Sequence, residues 1–306
     1  MPEEGVSCTA HSEILTYEEI VRICQIGARM GISRIKLTGG EPLVRKGLSS
    51  LIRKLKSVSG IEQVTLTTNG VLLSEQLEEL VDAGLDAVNI SLDTLDKEHY
   101  AQITRGGDVS RVLESVRQAL TYENLKVKLN CVPMKGTGKE EYIRLAEMAE
   151  KNPLEVRFIE MMPIGLGKQF AGIGGDEILE ILKQEFGEPE LYGETLGNGP
   201  ARYVEFPGFL GRIGFISAVS HSFCDSCNRV RLTSEGNLKP CLQYGIKTDL
   251  KSLLRGGAQE KEIEEAIYRT IYEKPDRHCF SETMDLSGIA GEEEILETRG
   301  MSGIGG

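Results

Sequence analysis

The 306-residue chain has no run of about 18 apolar residues, so no segment reads as a membrane-spanning helix. Its N-terminal MPEEGVSCTAHSEIL has neither a basic stretch nor an apolar core, which argues against a secretory leader and makes the cytoplasm the expected compartment. No G-x-G-x-x-G occurs, so the fingerprint of a dinucleotide-binding Rossmann sheet is missing. Internal repeats and low-complexity tracts are absent as well. Positive charge is scarce: 35 Lys and Arg against 47 Asp and Glu leave a net charge of −12. Such a chain repels nucleic-acid polymers and anionic membrane surfaces, so any anion it binds must be held by a local basic cluster. The four histidines, His11, His99, His221 and His278, follow no metal-ligand spacing.

What is present is a globular composition, 40% hydrophobic and 27% charged, enough for a sizeable core. Up to about residue 160 the pattern alternates strand and helix. Short β-branched runs predict strands at Arg34–Leu37, Gln63–Leu66, Ala87–Leu92, Lys126–Val132 and Glu155–Ile159. Amphipathic spacing predicts helices over Tyr17–Met30, Leu48–Ser57, Glu75–Asp82, Val109–Leu120 and Lys139–Lys151, with Thr16 and Ser74 as N-caps. Repeated units of this length imply parallel strands with right-handed crossovers. Every strand ends in a polar or glycine-rich stretch: Thr38-Gly39-Gly40-Glu41-Pro42, Thr67-Thr68-Asn69-Gly70, Ser91-Leu92-Asp93-Thr94, Asn130, and Glu160-Met161-Met162-Pro163. Decorated C-terminal strand ends favour one shared mouth, as in an α/β barrel, over a doubly wound sheet. Residues 164–200 read as a glycine-rich linker around a helix at Glu177–Glu185 that leads away from the barrel, and Glu260–Glu273 as a last acidic helix.

Some residues carry more chemistry than structure requires. Lys126, Lys128 and Asn130 alternate with Val127, Leu129 and Cys131, a polar face unusual for an interior parallel strand, and Arg157 repeats the oddity. A lumen lined by Lys36, Lys128 and Arg157 would be a cationic pocket in an acidic protein. Glu41 could accept a hydrogen bond from a ligand, or TGGEP could be a plain tight turn; Ser91 and Asp93 could simply cap a helix. Near the C-terminal third, Cys224, Cys227 and Cys241 stand in C-x2-C-x13-C, one thiolate short of saturating zinc or a cubane iron–sulfur cluster. Arg229 and Arg231, two apart, would share a strand face and clamp a phosphate. A structural zinc site completed by His221, Asp225 or Cys279, and surface arginines paired with carboxylates, are the plainer alternatives.

TGGEP, TTNG, NISLDTLD, KVKLN, RFIEMMP, FCDSCNRVRLTSEGNLKPCL and a terminal Gly-Gly, in this order over nearly the whole chain, resemble the GTP 3',8-cyclase family of molybdenum cofactor biosynthesis, within the radical S-adenosylmethionine (SAM) superfamily. The resemblance implies an α/β fold, an incomplete TIM-like radical SAM barrel of parallel strands with a C-terminal iron–sulfur extension. It divides the chain into residues 1–163, the partial barrel, and 164–306, the cluster region and tail. It implies that GTP is converted to 3',8-cyclo-7,8-dihydro-GTP by a SAM-derived radical. Cys224, Cys227 and Cys241 then hold an auxiliary [4Fe–4S] cluster. Lys36, Thr67, Lys128, Arg229 and Arg231 hold GTP, and Gly40, Ser91 and Met162 hold SAM. Gly305 and Gly306 form a catalytic tail. A reductant for the cluster and a downstream cyclic pyranopterin monophosphate synthase are the implied partners, and a homodimer stays open. Lys36 stands where the family often has arginine, which keeps the charge but loses the fork. One departure is large. The family's C-x3-C-x2-C motif, which holds the SAM-cleaving cluster, occurs nowhere in the 306 residues. The first barrel strand is expected to be missing with it, and the polypeptide as written to be inactive and less stable. The competing expectations are a non-catalytic nucleotide- or metal-binding remnant and a different radical SAM enzyme with an auxiliary cluster.

Overall fold

The computed structural model describes residues 9–193, 196–197, 199–278, 280, 296–297 and 304. Their strands are β1 (Arg34–Leu37), β2 (Gln63–Thr68), β3 (Ala87–Ser91), β4 (Lys126–Cys131), β5 (Glu155–Ile159), β6 (Glu190–Tyr192), β7 (Arg202–Glu205), β8 (Arg212–Ile216), β9 (Arg231–Leu232), β10 (Asn237–Lys239) and β11 (Thr248–Asp249). The helices are α1 (Tyr17–Arg29), α2 (Leu48–Lys56), α3 (Leu73–Asp82), α4 (Lys97–Thr104), α5 (Val109–Ala119), α6 (Lys139–Lys151), α7 (Gly175–Phe186), α8 (Leu250–Arg255) and α9 (Glu260–Tyr272). No helix among the described residues is long and apolar enough to cross a membrane.

Eight strands form one sheet in the order β1-β2-β3-β4-β5-β8-β7-β6. β1 to β5 and β8 run parallel, and β7 and β6 return antiparallel. Among the described residues β1 is paired on one side only, with β2. The expected α/β fold of parallel strands is therefore present, and the five predicted strands all form.

The two faces of the sheet differ because side chains alternate along each strand. Val64, Leu66, Val88, Ile90, Val127, Leu129, Val156, Phe158 and Ile213 lie on one face, all buried. They pack with Leu51, Leu55, Leu77, Val112, Val116 and Leu145 of the crossover helices. The other face carries Thr65, Thr67, Asn89, Lys128, Asn130 and Arg157. A strand that shows lysine and asparagine to one side and leucine and cysteine to the other has one dry face and one working face.

Local signals account for several helix starts. Thr16 accepts from the Glu19 N–H at 3.1 Å while the Glu19 carboxylate accepts from the Thr16 N–H at 2.7 Å, a complete capping box. Ser74 does not cap. Helix α3 starts one residue earlier, at Leu73, and the Ser74 N–H is satisfied instead by the Ser115 hydroxyl at 3.0 Å. The stretch 164–200 does not lead away from the sheet either. Helix α7 lies within it and buries Ile178 and Leu182 in the main core, because its apolar stripe matches the face left open beside β5 and α6.

A second apolar cluster joins the N-terminal and C-terminal parts. Leu15, Ile23 and Ile26, from α1 and the residue before its cap, pack with Leu238, Leu250, Leu254, Ile263 and Ile267. Helices α8 and α9 and the three-stranded sheet β11-β10-β9 are thereby seated on α1.

Candidate functional site

The working face is built in register rows. Thr67, Asn89, Lys128 and Glu155 are successive partners across β2 to β5, and Ser91, Asn130, Arg157 and Gly214 form the next row toward the strands' C-terminal ends. Arg157 is buried and fully braced. Its Nη2 donates to Asn89 Oδ1 at 2.6 Å and its Nε to Asn130 Oδ1 at 2.9 Å. Asn89 in turn donates to Leu66 O and Thr67 Oγ1, at 3.1 and 3.2 Å. Gly214 makes room for this arrangement, since a Cβ there would lie 2.7 Å from the Tyr203 ring and 3.1 Å from Arg157 Cγ.

Lys128 is buried with its ammonium 3.5 Å from Glu155, 3.4 Å from the Tyr203 hydroxyl and 3.2 Å from the Leu196 carbonyl. Burial, the largest influence, lowers its pKa, and Glu155 opposes the shift. Lys36 sits on β1 and is itself exposed. Crowding of its amine by protein, then the charges of Arg157, Arg229, Lys128 and Arg231, hold its pKa down to about 8. Lys36, Lys128, Arg157, Arg229 and Arg231 thus form one cationic cluster, although they come from distant parts of the sequence. The space between Lys36, Asn89, Lys128 and Arg157 is a cavity of about 20 Å³, room for about one water. Leu196 and Gly197 line it too, and the Leu196 carbonyl accepts from Lys128. A larger hollow of about 370 Å³ lies beside Glu13, Glu235 and Asp249. Its three carboxylates outnumber Lys247 and Lys251, and size alone does not mark the site.

Gly40, Ser91 and Met162 lie at or just beyond the C-terminal ends of β1, β3 and β5, on the same rim of the sheet. Gly40 faces open space and Ser91 is exposed. Met162 is half-buried against an apolar cluster of Ile164, Leu242 and Ile304. Glu41 is not available to a ligand. Its carboxylate accepts from the Leu43 N–H (3.0 Å), the Thr68 hydroxyl (2.7 Å) and the Asn69 N–H (2.7 Å), tying the loop after β1 to the loop after β2. In that second loop Gly70 has φ +81° and no space for a Cβ, which would come 2.9 Å from Ile90. Asp93 caps no helix; it accepts from the Val132 N–H at 2.8 Å, and burial raises its pKa.

Cys224 and Cys227 lie in a short turn, and Cys241 follows the hairpin after it. Cys224 opens a 3-10 turn in which the Cys227 N–H donates to Cys224 O at 2.9 Å. Strands β9 and β10 then pair antiparallel, Arg231 opposite Lys239, and carry the chain back to Cys241. All three thiols are free and half-buried. Glu160, at the end of β5, fixes the approach: its carboxylate accepts from the Val219 and Ser220 N–H groups at 2.7 and 2.9 Å. Burial pushes the Cys227 thiol up, but the Arg229 N–H and charge and the Lys274 ammonium outweigh it and bring the pKa to about 7.

Arg229 and Arg231 do not form the expected matched pair on a strand. Only Arg231 lies in β9. Arg229 precedes it, with its guanidinium 4.8 Å from the Phe223 ring centre and Nη2 3.7 Å from Cys227 Sγ. Arg231 is half-buried; burial and Arg229 lower its pKa, and Cys241 and Cys227 support its charge. The C-terminal segment returns to the same place. Glu297 forms a fully buried ion pair with Lys239, its N–H donates to Gln243 O at 2.7 Å, and Ile304 is buried against Leu242. Gly305 and Gly306, like Cys8 and Cys279, lie outside the described residues.

The donor set is three free, half-buried thiols, two of which receive N–H donors, which is the chemistry that the ligands of an iron–sulfur cluster use. N–H donors aimed at the thiols also match what such a cluster's ligands need.

The mostly parallel sheet with one polar face is the fold expected of a radical SAM superfamily protein, and the family models agree. Residues 9–149 match the family model "Radical SAM superfamily", and residues 154–280 match "Molybdenum Cofactor Synthesis C". The chain is 45% identical over 271 residues to a GTP 3',8-cyclase of Clostridium perfringens, covering 88% of this chain and 83% of that protein. It is 42% identical to one of Desulforamulus reducens, over all of this chain and 92% of that protein. The fold alone is also similar to Streptococcus suis SuiB bound to S-adenosylmethionine, at a TM-score of 0.56 and 15% identity, over 90% of this chain and 70% of that one. The chain belongs to the GTP 3',8-cyclase family.

Proposed function

We propose that the chain carries the substrate half of a GTP 3',8-cyclase, which turns GTP into 3',8-cyclo-7,8-dihydro-GTP for molybdenum cofactor biosynthesis. The observation that carries this reading is the cationic cluster of Lys36, Lys128, Arg157, Arg229 and Arg231, gathered in a chain of net charge −12 beside three free cysteines. Arg231, Lys36 and Lys128 neutralise the triphosphate in a site of low dielectric, where fixed charges act most strongly. Arg157 is held by Asn89 and Asn130 and orients those amides toward the nucleotide. Thr67 completes that row. Cys224, Cys227 and Cys241 hold the auxiliary [4Fe–4S] cluster, which when bound supplies an iron without a protein ligand for a donor atom of the purine. Gly40, Ser91 and Met162 cradle SAM on the rim, and Gly305 and Gly306 serve the reaction as its catalytic tail. The sheet is the wall of an incomplete barrel, with β1 as its edge among the described residues.

Anaerobic reconstitution of the polypeptide tests the site. About one cubane per chain is expected, with iron and sulfide lost together in Cys227→Ser. Because residues 1–306 contain no C-x3-C-x2-C, this polypeptide alone is expected to leave SAM uncleaved. Bound zinc without sulfide would favour a non-catalytic metal-binding protein instead.

The depressed pKa of Lys36, about 8, sets a pH dependence. In the free protein Lys36 loses its proton as the pH rises through about 8. A bound triphosphate favours the ammonium and restores the proton, so GTP affinity is greatest below that pH and falls above it, by at most about tenfold per pH unit. Calorimetric titrations in buffers of different ionisation heat should detect proton uptake with GTP near pH 9 and none near pH 7. Uptake that persists unchanged in Lys36→Met would assign it to another group.

A further inference from the structure

The segment that follows α9 contributes donors to two of the three cysteines. Lys274 Nζ lies 2.8 Å from Cys227 O, 3.0 Å from Arg229 O and 3.2 Å from Cys227 Sγ. An ammonium has three protons, and here each has an acceptor, so the charge is fixed in direction as well as in place. Four residues on, the His278 N–H donates to Cys224 Sγ at 3.3 Å. The segment is held from both sides. Ile263 and Ile267 bury α9 in the second apolar cluster, and the Tyr244 hydroxyl donates to Arg277 O at 3.0 Å. The His278 ring lies 4.2 Å from that of Phe280. A lysine beyond the end of a surface helix ordinarily pairs with a carboxylate or points into water, and Glu273 is adjacent in sequence. This one turns inward to a thiol.

We infer that Lys274, supported by the His278 N–H, is a positioning residue that holds the Cys224–Cys227 turn in its ligating form and sets the electronic character of a cluster bound there. The inference rests on the reading of Cys224, Cys227 and Cys241 as cluster ligands. One-electron reduction of an iron–sulfur cluster adds a negative charge to it. A cation within hydrogen-bond distance of a ligand sulfur therefore stabilises the reduced form more than the oxidised form, and raises the reduction potential. The backbone N–H at Cys224 acts in the same direction with a smaller, dipolar field. The structural part of the role is separate from the electronic part. The two carbonyl contacts, to Cys227 O and Arg229 O, brace the turn, whereas the contact to Sγ carries the charge effect.

Three variants of the full 306-residue chain, reconstituted anaerobically with iron and sulfide beside the unaltered chain, resolve these parts. Lys274→Gln keeps N–H donors for the carbonyls and removes the charge. Lys274→Arg keeps the charge. Lys274→Met removes both. Iron and sulfide counts, the electron paramagnetic resonance signal of the reduced cluster, and a mediated titration with a low-potential chemical reductant are read for each. The expected result is a more negative potential and an altered resonance signal in Lys274→Gln, a near-normal potential in Lys274→Arg, and lowered iron and sulfide in Lys274→Met. A Lys274→Gln chain with the potential and resonance signal of the unaltered protein would overturn the inference. If the unaltered chain itself holds no cubane, the reading of the cysteines fails instead, and that result is distinguishable because it does not depend on any variant.

Discussion

Arg231→Ala is expected to weaken GTP binding by roughly 30-fold, the equivalent of about 2 kcal/mol, the low end of the range for losing one partner of a buried charge pair. The argument rests on surroundings as well as charge. Arg231 is half-buried at the start of β9 and has the Cys227 and Cys241 thiols as its supporting groups. Water that would screen it is partly excluded, so its guanidinium offers a triphosphate more than a surface arginine could. Lysine at this position restores the charge without the planar fork, and an intermediate loss is expected. Equilibrium dialysis against GTP and against guanosine separates a phosphate contact from a structural one, since guanosine has no phosphate to lose. Equal losses for both ligands, or an iron content that falls with them, would remove Arg231 from the phosphate site.

Phe158→Ala should lower stability by about 3–5 kcal/mol, the range for deleting a large aromatic ring from a packed core. Phe158 is 1% exposed on the dry face of β5. Its ring stacks on Phe215 of β8 and meets Tyr142 of α6 edge-on, each with centroids 6.1 Å apart. The gap it leaves opens between strand, strand and helix, where none can close alone. A urea midpoint that falls without a change in the slope of the transition is the expected record. A loss below about 1 kcal/mol would mean that the α6 and β8 contacts repack around the gap. Because Arg157 is the preceding residue on the same strand and faces the lumen, GTP affinity at low temperature should fall less than stability does.

Much of the fold was legible because its determinants are local. Strands β1 to β5 are short β-branched runs set off by turn residues, and α6 matches its predicted span, Lys139–Lys151, to the residue. Helix α4 escaped because only Tyr100 of its eight residues is buried, so it has little apolar period to read. The polar face of the sheet was visible in KVKLN, since a parallel strand covered on both faces has no other reason to alternate. Tyr203 and Gly214 were not visible. Their meeting with Arg157 depends on β8 pairing with β5 and β7 folding back on β8, and no short window of sequence encodes that pairing. Glu41 and Glu160 show the opposite limit. Their motifs drew attention, yet both carboxylates are used for loop closure. Lys274 went unnoticed because a single lysine after an acidic helix looks like any solvated charge until the hairpin of β9 and β10 brings Cys227 to it.

The buried ion pair between Lys239 and Glu297 bears on how the tail finds its place. Taking an ammonium and a carboxylate out of water costs nearly as much as their attraction returns, so the pair adds little net stability. It adds discrimination. Lys239 belongs to β10 and sits inside the small sheet opposite Arg231, so a docking that moved Glu297 elsewhere would forfeit this ion pair. Glu297 is therefore tied to the stretch that runs from Lys239 through Cys241 to Gln243, by its charge and by its N–H.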